Sequence, residues 1–423
     1  MAPDPHMTRR TFVGAAAATI GGAALNPAAL AARARRPRFD HVVVVMMENR
    51  SFDHLLGWLP GADGRQAGLT YLDAAGAPHA THSLAPDYQG CAGADPDHSY
   101  AGGRIELNGG ACDGWLRAGA NDDYALGYYL QADLSFLGQA VPDWTTFSRY
   151  FAPILAETYP NRIYQHAGQT DRIVNTTHIS ALPTIWDRLA ERGRRGRYYF
   201  SDVPFLALWG PRHLPITRPI ASFYADAAAG RLPDVAFVDP RFLDETAGTS
   251  GDDHPHGDIR SGEAFMARIY RAVTRSPNWS RTVLVFNFDE WGGFFEHVPP
   301  PAAPIPPADA LAGNQDGLRG FRVPCLLVSP FAHRGHIATS VYDHTSILRM
   351  IESRWSLRSL TVRSRTANDL AHELTTTQRL SAPRYTVPSG PFGAACPPAA
   401  APPPSEEMWA PLVALARRFH FPL

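Results

Sequence analysis

His41-Val42-Val43-Val44-Val45-Met46-Met47-Glu48-Asn49-Arg50-Ser51-Phe52-Asp53-His54 is the stretch from which the fold is read. Four consecutive valines inside a short apolar run suit a strand buried on both faces, since a strand with one wet face would alternate apolar and polar residues. Similar runs recur at 198–201, 235–238, 282–288 and 323–328. Helical spacing lies between them: at 184–192, at 262–274 where Phe265, Met266, Ile269 and Val273 recur along one face, and at 343–355 after a polar start. Strand alternating with helix predicts an α/β protein, a mainly parallel sheet with helices on both faces.

Outward from that frame, residues 57–150 carry much of the Gly, Asp and Cys punctuation and read as a loop-rich insertion. Residues 299–307 form a proline-rich extended loop, and 388–404 a Pro-rich tail before a final short helix. The expected organisation is a leader over 1–36, a catalytic domain over 37–387 and a tail over 388–423. At 423 residues and 45% hydrophobic content the chain can bury one large core or two modest ones. The 39 basic and 40 acidic residues nearly cancel, so no global field recruits nucleic acid, which is excluded as a partner. Lysine is absent, which excludes a lysine Schiff base and a P-loop lysine.

Met7-Thr8-Arg9-Arg10-Thr11-Phe12-Val13, followed by an Ala- and Gly-rich stretch and small residues near Ala29-Leu30-Ala31, resembles a twin-arginine export signal. The expectation is a protein acting in the cell envelope or outside the cell. Four cysteines are compatible with an oxidising compartment. Cys91 and Cys112 are the candidates for a pair, Cys325 reads as a core thiol, and Cys396 has no evident partner.

Polar groups follow directly on the buried runs: Glu48-Asn49 after the first and Asp289-Glu290 after 282–288. In an open parallel sheet, ligands bind beyond the carboxyl ends of the strands, so these groups converge on one crevice. Oxygen donors of this kind suit a hard or borderline divalent ion whose identity the sequence leaves open. Each pair alone serves equally as a cap or a loop hydrogen bond. Glu157-Thr158-Tyr159-Pro160-Asn161-Arg162 sets a hydroxyl before a proline and a helix start. There Thr158 is either a plain N-cap or a nucleophile favoured by helix-terminal amides and a nearby cation.

Five strings, in order, resemble the phosphoesterase family of bacterial phospholipases C and related acid phosphatases, within the alkaline phosphatase-like superfamily. They are Glu48-Asn49-Arg50-Ser51-Phe52-Asp53, Thr158-Tyr159-Pro160-Asn161-Arg162, Asp253-His254-Pro255, Asp289-Glu290-Trp291-Gly292-Gly293-Phe294-Phe295-Glu296-His297-Val298-Pro299 and Asp343-His344-Thr345-Ser346. The resemblance spans most of residues 39–355. It implies an α/β/α sandwich of alkaline phosphatase type and a metal site on Glu48, Asn49, Thr158, Asp289 and Glu290. It also implies Thr158 as nucleophile, and threonine rather than serine there looks like the phospholipase branch.

Of the 17 histidines, His98, His254 and His297 are the choices for a phosphate pocket, where an imidazole contacts a phosphoryl oxygen or protonates a leaving alkoxide. His256 reads as a loop residue, and His344 opens a helix for which Asp343 or Thr345 is either no more than a cap or part of a catalytic element. Arg50 and Arg162 either brace carboxylates or bind phosphate. The expected activity is metal-dependent phospholipase C-type hydrolysis of a phospholipid or small phosphate ester through a phosphothreonine, with transient contact to a membrane surface. A phosphomonoesterase with the same residues and a non-catalytic exported binding protein are the alternatives.

Overall fold

The structure is a computed structural model that describes residues 37–397 and 404–423. The leader expected over 1–36, with Arg9 and Arg10, lies outside the described residues. Eight strands form the central sheet: β1 (His41–Met47), β2 (Thr145–Phe147), β3 (Gly196–Phe200), β4 (Thr217–Pro219), β5 (Val235–Val238), β6 (Thr282–Phe288), β7 (Cys325–Val328) and β8 (His336–Ala338). Their spatial order is β8-β2-β7-β6-β1-β5-β3-β4. The four valines of β1 run beside β5 and β6, both parallel to it, and none is more than 1% exposed. That double-sided burial is why the run lacks alternation.

Only β7 runs against its neighbours, antiparallel to both β6 and β2. The excursion between β6 and β7 stays at the carboxyl end of the sheet, where the Arg50 N–H donates to Glu290 O and the Phe52 N–H to Arg322 O. A strand entered from that end must descend.

The helices used below are α1 (Phe52–Leu56), α2 (Thr158–Ala167), α3 (Ile185–Glu191), α4 (Ile220–Ala228), α5 (Ile259–Thr274), α6 (His344–Trp355) and α7 (Pro404–Arg418). Successive residues of β3 show the layering. Tyr198 meets His166 of α2 at 5.9 Å between ring centres, whereas Tyr199 meets Phe223 of α4 at 5.3 Å. Adjacent strand residues point to opposite faces, so α2 and α4 cover different sides, and the α/β class with three layers follows. Helix α5 begins three residues before its apolar periodicity, because the Asp258 carboxylate accepts from the Arg260 N–H and caps it.

Within the loop-rich stretch 57–150, Thr145–Phe147 is an inner strand of the main sheet. A second core gathers Tyr71, Trp115 and Leu126 of that stretch around Trp291, Phe295 and Phe321, so the insertion folds on apolar residues lent by the loop after β6. The expected pairing of Cys91 with Cys112 is corrected: Cys91 bonds Cys396, 305 residues away, and Cys112 is a buried free thiol, as is Cys325. Sequence proximity favoured the wrong partner, because the tail returns to Cys91 only in the folded chain.

Candidate active site

The ends of β1 and β6 are stitched together at the crevice. The Asp289 N–H donates to Met47 O, the Glu48 N–H to Asp252 O, and the Asn49 N–H to Asp289 Oδ1 at 3.1 Å. Asn49 takes a positive φ of 57°, which an amide side chain tolerates better than a branched one. Gly292 has φ +63°, and a Cβ there would sit 2.2 Å from Asn49 O, so only glycine lets the two loops approach.

Thr158 is the first residue of α2, after Glu157, whose side chain makes no cap hydrogen bond. The plain capping role for Thr158 is therefore not what the structure shows. One turn on, Arg162 points the same way. Its Nε donates to Glu48 Oε1 (3.0 Å) and Asp289 Oδ2 (3.1 Å), its Nη1 to Asp239 Oδ1 (3.2 Å), and its Nη2 to the carbonyls of Met46 and Met47. A single permanently charged fork thus ties the ends of β1, β5 and β6. Arg50 is also fully buried, donating to Asp253 O at 2.6 Å, with His54 Nε2 3.0 Å from its Nη1.

Of the three chosen histidines, two come together. The His98 and His254 rings lie 5.9 Å apart. His98 Nδ1 lies 2.8 Å from Pro96 O, and Nε2 lies 3.2 Å from Asn49 Nδ2. Burial works to lower the His98 pKa, but the Glu290 and Asp95 carboxylates outweigh it and hold it near 10. The Asn49 contact matches either protonation state: the amide NH2 donates to a neutral Nε2, and the amide oxygen, turned round, accepts from an imidazolium. His254 goes the other way, pushed well below the ordinary imidazole value by burial and by His98. Its Nδ1 faces Pro255 O and Glu245 Oε2, at 3.1 and 3.3 Å.

His297 is held elsewhere, in a network with Asp53, Glu296 and Arg322. Its Nδ1 lies 2.5 Å from Asp53 Oδ2, and Arg322 Nη2 donates to Glu296 Oε1 at 2.6 Å. All four carboxylate oxygens of Asp53 and Glu296 accept hydrogen bonds, so this cluster is a satisfied brace.

The other carboxylate cluster leaves oxygens of Glu48 and Asp252 unpaired among the described residues. Glu48, Glu245 and Asp252, all fully buried, offer oxygens within 4.8 Å of one another. Glu48 Oε2, Asn49 Oδ1, Thr158 Oγ1, Glu290 Oε1 and Asp252 Oδ2 are buried without a hydrogen-bond partner among the described residues. Each such atom costs about 1–3 kcal/mol unless something else is bound. All five are oxygens, a donor set that fits a hard divalent cation. Burial, only partly opposed by Arg162, raises Glu48 well above the ordinary carboxylate range. Burial also lifts Asp289 to about 6 and Glu290 to about 8.

Glu245 and Asp252 were missed from sequence; His344, weighed there as either structural or catalytic, has its Nε2 2.9 Å from Asp289 O. Reading the carboxyl end of β5 by the rule used for β1 and β6 would have flagged Asp239, which directly follows the strand, whereas Glu245 lies seven residues beyond it.

The model of the phosphoesterase family matches residues 39–207 and 209–358. Non-specific phospholipase C1 of Arabidopsis thaliana is 29% identical over 357 residues, covering 75% of this chain and 67% of its own length. Phospholipase C B of Mycobacterium tuberculosis is 29% identical over 438 residues, covering 84% and 82%. A solved protein in the alkaline phosphatase superfamily from Vibrio parahaemolyticus matches with a TM-score of 0.40 at 8% identity, covering 79% of this chain and 71% of that one. With its family model matched over most of its length, the chain belongs to the phosphoesterase family and is, with it, a phosphoric ester hydrolase.

Proposed function

We propose that the chain is an exported, divalent-cation-dependent hydrolase that cleaves phosphodiesters of the phospholipase C type through a phosphothreonine. The observation carrying this reading is Thr158 Oγ1, which is fully buried at the first turn of α2, without a hydrogen-bond partner among the described residues. A hydroxyl left in that state on the helix that carries Arg162 is more useful as a nucleophile than as a structural group. Relatives named phospholipases C support the diester substrate. The leader motif and the Cys91–Cys396 disulfide support an oxidising destination.

Glu48, Asn49, Asp289 and Glu290 would hold the cation, which supplies charge neutralisation at the phosphoryl group and a lowered hydroxyl pKa. Thr158 gives up its hydroxyl proton to His254 Nε2 as Oγ attacks phosphorus, the bond from phosphorus to the alcohol oxygen breaks, and the departing alkoxide takes a proton from His98. Water then attacks phosphorus and passes a proton to the now neutral His98, the phosphorus–Oγ bond breaks, and Thr158 recovers its proton from His254 Nε2, an imidazole that burial keeps neutral at rest. Two imidazoles whose surroundings drive their pKa values apart are suited to opposite proton-transfer roles.

Thr158→Ala should cut turnover of phosphatidylcholine by several orders of magnitude with little change in Tm, while Thr158→Ser keeps much of it. An acid quench of the wild type should yield a phosphorylated peptide containing Thr158. An active Thr158→Ala enzyme removes this mechanism, and faster hydrolysis of a phosphomonoester than of the diester replaces the substrate class.

A further inference from the structure

The site has a wall that none of its motifs contains. Trp409 of α7 is fully buried, stacked on Phe242 with ring centres 4.3 Å apart and planes 18° apart, and 5.6 Å from the ring of Tyr159. The same Phe242 ring carries the Arg162 guanidinium, whose carbon lies 4.6 Å from the ring centre. The Phe242 backbone is pinned, its N–H donating to both Asp202 carboxylate oxygens at 3.1 Å. Trp409 Nε1 is buried with no hydrogen-bond partner among the described residues. A buried indole ordinarily finds one, so Trp409 is placed here for the area and flatness of its ring.

The tail leading to α7 is fastened at several points. Besides the disulfide, the Cys396 N–H donates to Thr246 O at 2.8 Å. Gln89 grips Ala394 twice, its Nε2 donating to the carbonyl at 2.6 Å and its Oε1 accepting from the N–H at 3.1 Å.

We propose that the C-terminal helix is a strut of the active site, with Trp409 a positioning residue that acts through Phe242 on Arg162, and so on the Glu48 and Asp289 carboxylates that Arg162 holds. The physical basis is that a guanidinium is oriented by the aromatic face on which it lies. A fork that drifts by even an ångström misplaces both carboxylates at once. The inference rests on the reading that Thr158 and these carboxylates form the reacting centre.

The test uses the full chain with its disulfide intact and p-nitrophenylphosphorylcholine as substrate. Trp409→Ala should lower kcat about tenfold with KM changed less than about twofold, at a temperature where Tm shows every variant folded. Trp409→Phe should restore most of kcat, because the indole N–H it removes makes no hydrogen bond among the described residues. In a Phe242→Leu background the relay is already broken, so adding Trp409→Ala should lower kcat no further. Should Trp409→Ala fail to fold, Trp409→Leu replaces it, retaining bulk but not the flat face.

Wild-type kcat with only a lower Tm overturns the strut, as does a full additional loss in the double variant. Thr158→Ala run beside these separates the two claims. If it is inactive while Trp409→Ala keeps wild-type kcat, the strut alone fails; if it is active, the reading beneath the strut fails as well.

Discussion

Glu290, raised to about 8, and Asp289, raised to about 6, both owe their shift to burial, opposed first by His98 and by Arg162 respectively. Both values lie above the unfolded carboxylate range of about 4, so without a cation the fold holds these protons more tightly than the unfolded chain does. The stability they contribute is complete at acid pH and is lost as pH rises from about 4 through about 8. A cation competes for the same oxygens and must displace those protons. Its affinity should therefore climb between pH 6 and 8, and calorimetry at pH 7 in two buffers of different ionisation enthalpy should register net proton release. Binding heats identical in the two buffers would contradict this.

At the scale of elements, the tail is held by covalent and non-covalent fastenings that differ in reversibility. The Cys91–Cys396 bond closes a separation of 305 residues, which restricts the unfolded chain by on the order of 5 kcal/mol in the chain-entropy view. Reductant should lower Tm by roughly 5 °C, read by scanning calorimetry, and Cys396→Ser should show the lower value with or without reductant. Cys112→Ser should leave the reductant effect in place, because its thiol is unpaired. A Cys112→Ser protein insensitive to reductant would return the pairing to Cys91 and Cys112. The strands differ in legibility for a related reason. The valines of β1 announce a doubly buried strand in their own composition. The reversed direction of β7 appears in no composition, since it depends on where the excursion after β6 spends its length.

For the whole molecule, the export reading rests on Arg9-Arg10 ahead of a weakly apolar stretch. Replacing both with Gln should leave the protein unprocessed in the cytoplasmic fraction, and normal export of that variant would end the proposal. No helix among the described residues is long and apolar enough to cross a membrane. Legible in the chain alone are the α/β alternation, the polar residues at the ends of β1 and β6, and the family to which its five strings point. These are short-range properties, carried by side-chain periodicity and by the residue that ends each apolar run. The folded chain was needed to show that Arg162 gathers three strand ends and that Glu245 and Asp252 join Glu48. It alone separated His297 from His98 and His254, paired Cys91 with Cys396, and set Trp409 against Phe242. The physical reason is that such contacts follow from which strands become neighbours in the sheet and where the loops between them return, and no local period in the chain records either.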